Sequence, residues 1–191
     1  MRSIFYLFMI IVPFFLHFFD GRKYRTLLFV FSSLVILLFT ALRGTNTGSG
    51  DYNAYIRMYN IFTDWDLVLD PLSSHVEYGF RLLSILGNYL EFEGQFIIIS
   101  MAILSLVPIF FIINKHSPYK NLSLLLLGPY LFMFNMHASR LSVAAAFLFY
   151  FFIAIYKNKY FSAFLLFLIA ILFHSSVLSV LALLLLFFNL R

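Results

Sequence analysis

The sequence predicts an all-α protein, a polytopic bundle of about six to seven transmembrane helices with one structured outer loop. Of its 191 residues, 63% are hydrophobic and only 11% are charged, whereas a soluble domain is usually roughly 25% charged. Apolar runs long enough to cross roughly 30 Å of hydrocarbon recur along the chain. The basic residues are dispersed in short connections, a pattern of membrane topology rather than nucleic-acid binding. Cysteine is absent, which excludes disulfides and thiolate metal sites.

The apolar runs define the predicted spans in chain order. These are 4–19, 26–42, 95–114, 121–136 and 140–156, followed by the segment 160–191. As a single helix, the apolar run 161–188 in that last segment would be about 42 Å long, more than the hydrocarbon needs. The segment is therefore either two short helices broken near His174 or one long tilted helix.

The charges orient these spans. Seven of the eight acidic residues lie in the polar stretch 43–94, where three arginines leave a net charge of −4. The three short loops around Arg22, Lys115 and Lys157 each carry a net charge of +2. The positive-inside rule therefore predicts that the short loops are cytoplasmic and that 43–94 is an extracytoplasmic loop.

The outer loop is predicted to contain amphipathic helices. Tyr52, Tyr55 and Tyr59 recur at helical spacing, and Asp51 suits the N-cap position of that helix. A second helical segment covers 77–91. We expect the first helix to lie at the membrane surface with its tyrosines in the interface, the alternative being that they contact a substrate.

Three polar segments far apart in sequence are predicted to meet at the outer face. They are 41–52, 136–140 and 173–176. Polar groups at the mouth of an apolar bundle are costly unless something polar binds there. Arg43 and Arg140 offer two guanidinium groups that suit a pyrophosphate. The alternative is that each is a topological anchor or pairs with an acid of the outer loop.

Four further side chains complete the candidate site. His174 suits a general base or a hydrogen-bond donor to phosphate or sugar, or else is bonded to a neighbouring helix. His137 lies three residues before Arg140 and shares its face. Asp51 and Glu77 suit acid–base chemistry or saccharide binding, the alternatives being a helix cap for Asp51 and a charge partner of an arginine for Glu77.

These segments resemble the EpsG/Wzy-like membrane proteins of bacterial exopolysaccharide, capsule and O-antigen clusters. The matching residues, in chain order, are Arg43-Gly44, Gly50-Asp51-Tyr52-x-x-Tyr55, Glu77-x-Gly79-Phe80-x-x-Leu83, Ser139-Arg140-Leu141-x-Val143-Ala144 and Ile169-Ala170-x-x-Phe173-His174-Ser175-Ser176. Members of the family usually continue with further spans. The resemblance therefore implies that 1–191 is one transmembrane domain truncated at its C-terminus.

The resemblance implies a polymerase, a glycosyltransferase that joins undecaprenyl-pyrophosphate-linked oligosaccharide units at the outer face of the bacterial inner membrane. It implies no cofactor and no metal, and a chain-length regulator as a further partner. The implied substrate-binding residues are Arg43, Arg140, His137, Tyr52 and Tyr55, and the implied catalytic residues are His174, Asp51 and Glu77. The alternatives are a transporter or flippase subunit, and a non-catalytic membrane component of a polysaccharide-export system.

Overall fold

The computed structural model describes residues 2–19, 23–44, 51–69, 76–130 and 134–180. In these residues the chain is helical, with no strand, so the predicted all-α class is confirmed. The α-helices are α1 (Arg2–His17), α2 (Arg25–Ala41), α3 (Tyr52–Ile61), α4 (Tyr78–Tyr89), α5 (Gln95–His116), α6 (Lys120–Leu126), α7 (Gly128–Tyr130), α8 (Ser139–Tyr156) and α9 (Tyr160–Phe173). Short 3-10 turns at Trp65–Val68 and Ser175–Val177 complete the described helices.

Two of these helices are long and apolar enough to cross a membrane. They are α5, with 22 residues and a mean hydropathy of 2.9, and α8, with 18 residues and a mean hydropathy of 1.7. Helices α2 and α9 are apolar but shorter, as is the stretch Leu7–His17 of α1. The described residues therefore support two spans, and the larger number of spans stays a prediction.

The predicted fourth span, 121–136, is not one helix. Its first part forms α6, which ends at Leu126 shortly before Pro129, and its next part forms the short α7. Pro129 has no N–H, and in a continuous helix its ring would clash with the carbonyl of Leu125, whereas the first turn of α7 tolerates it; this explains the interruption. Residues 131–133 lie outside the described part of the chain.

The apolar run after residue 160 is broken at His174. Helix α9 ends at Phe173, and His174 has an extended backbone with φ −161° and ψ 119°. The 3-10 turn Ser175–Val177 follows, and the chain is helical again at 178–180. The alternative of a single helix from 160 onward is thereby excluded as far as residue 180. Residues 181–191 lie outside the described part.

Four helices meet at one end of the bundle. The side chain of Gln95 at the start of α5 donates to the carbonyl of Ala41 at the end of α2, 2.7 Å away. Ser139 at the start of α8 accepts from the Arg43 guanidinium, which follows α2. The C-terminus of α9 reaches the same place through His174. We call this the site end.

The opposite end of the bundle is basic. Because α5 has 22 residues, its length of about 33 Å separates Gln95 from its last turn, which carries Lys115. The turn between α8 and α9 lies at that far end and carries Lys157 and Lys159. We call it the basic end. Helices α2 and α9 thus run toward the site end, and α5 and α8 run away from it, which are the directions that the charge pattern predicted. The membrane side that each end faces stays a prediction.

The tyrosine stripe of α3 faces the protein rather than lipid. Tyr55 and Tyr59 are buried in one apolar cluster with residues of α4, α5, α8 and α9. The Tyr59 hydroxyl donates to the carbonyl of Phe92 at 2.6 Å. The expectation of an interfacial tyrosine belt is therefore wrong, because the amphipathic face of α3 packs against the other helices.

The close contact between α4 and α9 requires a glycine. A Cβ on Gly79 would lie 2.8 Å from the carbonyl oxygen of Leu172 and 3.1 Å from Cγ of Phe173. Both contacts are shorter than van der Waals distance, and the first is to backbone that cannot move away alone. Gly79 thereby brings the start of α4 against the end of α9.

We expect Gly79→Ala to destabilise the protein by about 1–3 kcal/mol, the usual cost of overpacking. The measurement is the unfolding temperature of the purified protein in detergent. Gly44→Ala is the matched control, because a Cβ there has nothing within 4 Å. Equal unfolding temperatures for the two variants would contradict the packing argument.

Candidate functional site

Glu77 joins three helices at the site end. It is the N-cap residue of α4, and its backbone carbonyl accepts from the amides of Phe80 and Arg81. Its side chain leaves the helix and faces α8 and α9. Oε2 accepts a hydrogen bond from Nη1 of Arg140, and Oε1 lies 2.7 Å from Nδ1 of His174. We call Glu77, Arg140 and His174 the Glu77 cluster.

The Glu77 cluster is partly withdrawn from water but still accessible. The side chains of Glu77 and Arg140 are 15% and 22% exposed, and that of His174 is 29% exposed. Charges in such a setting interact more strongly than charges on a fully hydrated surface. The cluster can therefore hold a defined geometry and still contact a ligand.

A buried arginine fixes the chain just before Glu77. Nε of Arg81 donates to the carbonyl of Val76 and Nη1 donates to that of Val68, each at 2.7 Å. Its guanidinium carbon also lies 5.0 Å from the ring centroid of Tyr78, a cation–π contact. The sequence analysis missed Arg81 as a structural residue. A cation four residues after Glu77 on an otherwise mainly apolar helix could have indicated it.

Two aromatic rings support Arg140. Its guanidinium carbon lies 6.0 Å from the ring centroids of both Tyr55 and Phe80. Burial raises the pKa of the Tyr55 phenol, although the neighbouring charge of Arg140 acts in the opposite direction. The phenol therefore stays neutral, and Tyr55 serves in the structure as a platform beneath Arg140.

Arg43 lies inside the protein next to the Glu77 cluster. It is 2% exposed. Its Nη1 donates to the carbonyl of Asn135 at 2.5 Å, and its Nη2 donates to Oγ of Ser139 at 2.6 Å. Ser139 is the residue before Arg140, so Arg43 ties the end of α2 to the first turn of α8. The contact of Arg43 with a substrate stays a prediction.

Gln95 connects the two sides of the segment 45–50. Its Oε1 accepts from the hydroxyl of Tyr52 at 2.8 Å. Its Nε2 donates to the carbonyls of Ala41 and Arg43 at 2.7 Å and 3.2 Å. The start of α3 is thereby held against the end of α2. The sequence analysis missed Gln95, although a polar residue at the start of the apolar run 95–114 could have indicated it. Residues 45–50 lie outside the described part.

The remaining predicted residues flank the cluster. Asp51 is half-buried immediately before α3, and its side chain makes no capping hydrogen bond within the described part of the chain. It lies near enough to affect the Tyr55 phenol, whose pKa its charge raises slightly after the larger effect of burial. His137 is half-buried in the turn that precedes α8. The structure therefore brings the described residues of all three predicted polar segments to the site end.

The EpsG family model matches residues 26–191. The match includes every residue of the Glu77 cluster and the helices from Thr26 of α2 onward. Neither a curated protein nor a solved structure matches the chain significantly.

We expect Arg43→Ala to lower the stability of the protein by about 3 kcal/mol or more, because it removes two buried hydrogen bonds from a charged donor, to Asn135 and Ser139, each of which contributes roughly 1.5–3 kcal/mol. The free energy of unfolding in detergent measures the effect. Arg57→Ala is the control, since Arg57 is an exposed arginine of α3. A loss no larger than that of the control would show that Arg43 does not hold α2 against α8.

Proposed function

The chain belongs to the EpsG family, and on that premise we propose that it is a polymerase of lipid-linked oligosaccharide repeat units. The family match supports a membrane-associated protein of polysaccharide biosynthesis. The proposed substrates are repeat units carried on undecaprenyl pyrophosphate, and the proposed product is exopolysaccharide, capsule or O-antigen. The reaction would take place at the outer face of the bacterial inner membrane, the side that the charge pattern assigns to the acidic segment 43–94.

The observation that carries the proposal is the double contact of Glu77. The Glu77 carboxylate binds both the Arg140 guanidinium and the His174 imidazole. The guanidinium is suited to binding a pyrophosphate, and the imidazole is suited to accepting a proton. The three residues come from α4, α8 and the end of α9, so the fold has to assemble them. A glycosyl transfer from a pyrophosphate donor needs both functions close together.

The proposed reaction is a displacement at the anomeric carbon of the donor sugar. A hydroxyl oxygen of the acceptor unit bonds to that carbon while the bond from the carbon to the pyrophosphate oxygen breaks. His174 takes the hydroxyl proton, and the lipid pyrophosphate leaves with the bonding electrons. Arg140 stabilises the negative charge that develops on the leaving group.

Glu77 sets the protonation of His174 in this scheme. A carboxylate accepts hydrogen bonds only, so Nδ1 of the neutral imidazole carries the proton and donates it to Oε1. Nε2 is then left with a lone pair for the acceptor hydroxyl. The carboxylate also stabilises the imidazolium that forms when the proton is transferred.

Arg140 retains donors for the leaving group. Its Nη1 is used by Glu77, and a guanidinium offers five N–H donors in all. Asp51, Tyr52 and His137 flank the cluster, and we propose that they position the sugars. Arg43 contributes by fixing the start of α8 behind Arg140.

We expect His174→Ala and Glu77→Gln each to lower polymer formation by about 100-fold or more, the usual contribution of a positioned general base. The assay combines the purified protein in nanodiscs with lipid-linked repeat units extracted from cells that lack this gene. Gel electrophoresis gives the polymer length, and chromatography gives the released lipid pyrophosphate. Glu93→Gln, which changes an exposed carboxylate outside the cluster, is the control.

The same assay separates the alternatives. A transporter subunit would move the lipid-linked unit across a vesicle membrane without releasing lipid pyrophosphate. A non-catalytic component would give neither result. Polymers of normal length from folded His174→Ala and Glu77→Gln proteins would overturn the proposal.

A further inference from the structure

A second candidate site lies at the basic end, far from the Glu77 cluster. A cleft of about 630 Å³ opens between the last turns of α5 and α8 and the beginning of α9. Four basic residues line it, namely Lys115, His116, Lys157 and Lys159. Apolar side chains form other parts of its wall, among them Phe111, Ile153 and Leu166.

A tight turn brings two of the lysines to the cleft. Asn158, between Lys157 and Lys159, has a φ of 54°, a left-handed conformation that asparagine tolerates better than most residues. The amide of Lys159 donates to the carbonyl of Ala154 at 2.9 Å, which closes the end of α8. The turn therefore fixes Lys157 and Lys159 on the rim of the cleft rather than on a long flexible loop.

The cations of the cleft have no acidic neighbours in sequence. Residues 95–191 contain no aspartate and no glutamate, and these residues supply every side chain of the lining. In the described part of the chain, Lys115, Lys157 and Lys159 take part in no ion pair with an acidic group. Within the described residues the positive charge of the cleft is therefore uncompensated, which favours an anionic ligand.

The apolar wall indicates what kind of anion fits. Phe111 is 64% exposed and continues the cleft onto the side surface of α5, an apolar helix long enough to cross a membrane. A soluble anion would make no use of this wall, whereas a phospholipid would place its phosphate among the lysines and an acyl chain along the wall. Basic pockets between transmembrane helices are known to hold lipid head groups in this way.

We propose that this cleft binds the phosphate of an anionic phospholipid from the leaflet at the basic end. Lys115, Lys157 and Lys159 bind the head group, and Phe111 and Leu166 contact an acyl chain. The site is separate from the chemistry at Glu77, because α5 and α8 separate the two by their full length. Bound lipid would hold the α8–α9 turn against the end of α5.

The test compares phosphatidylglycerol with phosphatidylcholine. The purified chain is placed in nanodiscs of phosphatidylcholine, with and without phosphatidylglycerol, and bound lipid is counted by native mass spectrometry after release. The unfolding temperature is measured in the same samples. We expect preferential retention of phosphatidylglycerol and a higher unfolding temperature in its presence.

The double variant K157Q/K159Q should weaken phosphatidylglycerol binding about 25-fold, since each basic side chain near an anionic surface contributes roughly a fivefold factor in affinity. Lys23→Gln is the matched control, because Lys23 is an exposed lysine outside this cleft. An unchanged unfolding temperature in pure phosphatidylcholine shows that the double variant is folded. If the variant does not fold, Lys115→Gln takes its place with an expected fivefold effect.

Three outcomes would overturn the proposal. The first is equal retention of the two lipids by the wild-type chain. The second is a loss of about fivefold in the Lys23→Gln protein, the same loss per lysine as in the double variant, which would indicate general attraction to the bilayer surface. The third is equal stabilisation by millimolar inorganic phosphate in neutral nanodiscs, which would assign the cleft to a soluble phosphate compound.

Discussion

The carboxylate of Glu77 is the group on which the arrangement of the site end depends. The side chain of Glu77 connects the start of α4 with both α8 and α9, through Arg140 and His174. A partly buried carboxylate is tolerated because both of its oxygens are hydrogen-bonded and one partner is a cation. Removing any one of the three would leave a polar group without its partner in a poorly hydrated place.

The surroundings hold this carboxylate in position from several directions. Arg81 binds the carbonyl just before Glu77, and the small size of Gly79 lets α4 approach α9. Arg43 binds Ser139, the residue before Arg140. These contacts connect α2, α4, α8 and α9, so the described residues around Arg43 and Glu77 are packed against these helices.

The sequence was sufficient for the helical class and for the directions in which α2, α5, α8 and α9 run, because apolar length and loop charge report directly on both. It also indicated a break at His174, where a polar residue interrupts an apolar run, as one of two alternatives beside a single long helix. The sequence could not show that Tyr55 and Tyr59 face protein rather than lipid. Both surroundings are apolar, and both favour the same helical spacing of aromatic residues. The interruption of 121–136 at Pro129 was likewise misjudged, because hydropathy alone does not register a change in backbone conformation.

Within the site, the residue types were predictable and their partners were not. From the sequence, Glu77 could be a saccharide-binding or acid–base residue, or the charge partner of an arginine. The structure shows the contact with an arginine together with a second contact to His174. Arg43 and Arg140 looked equivalent in sequence, but Arg43 is enclosed while Arg140 is partly exposed. Such differences depend on tertiary packing between segments nearly 100 residues apart.

The central claim is that Glu77 holds the proton of His174 on Nδ1 and leaves Nε2 as the proton acceptor. Nitrogen-15 NMR of histidine-labelled protein in nanodiscs measures this directly, with the His174 signals assigned by their loss in His174→Gln. The account predicts that the neutral imidazole of His174 is protonated at Nδ1 and that this preference disappears in Glu77→Ala. A neutral His174 protonated at Nε2 in the wild-type chain would contradict it.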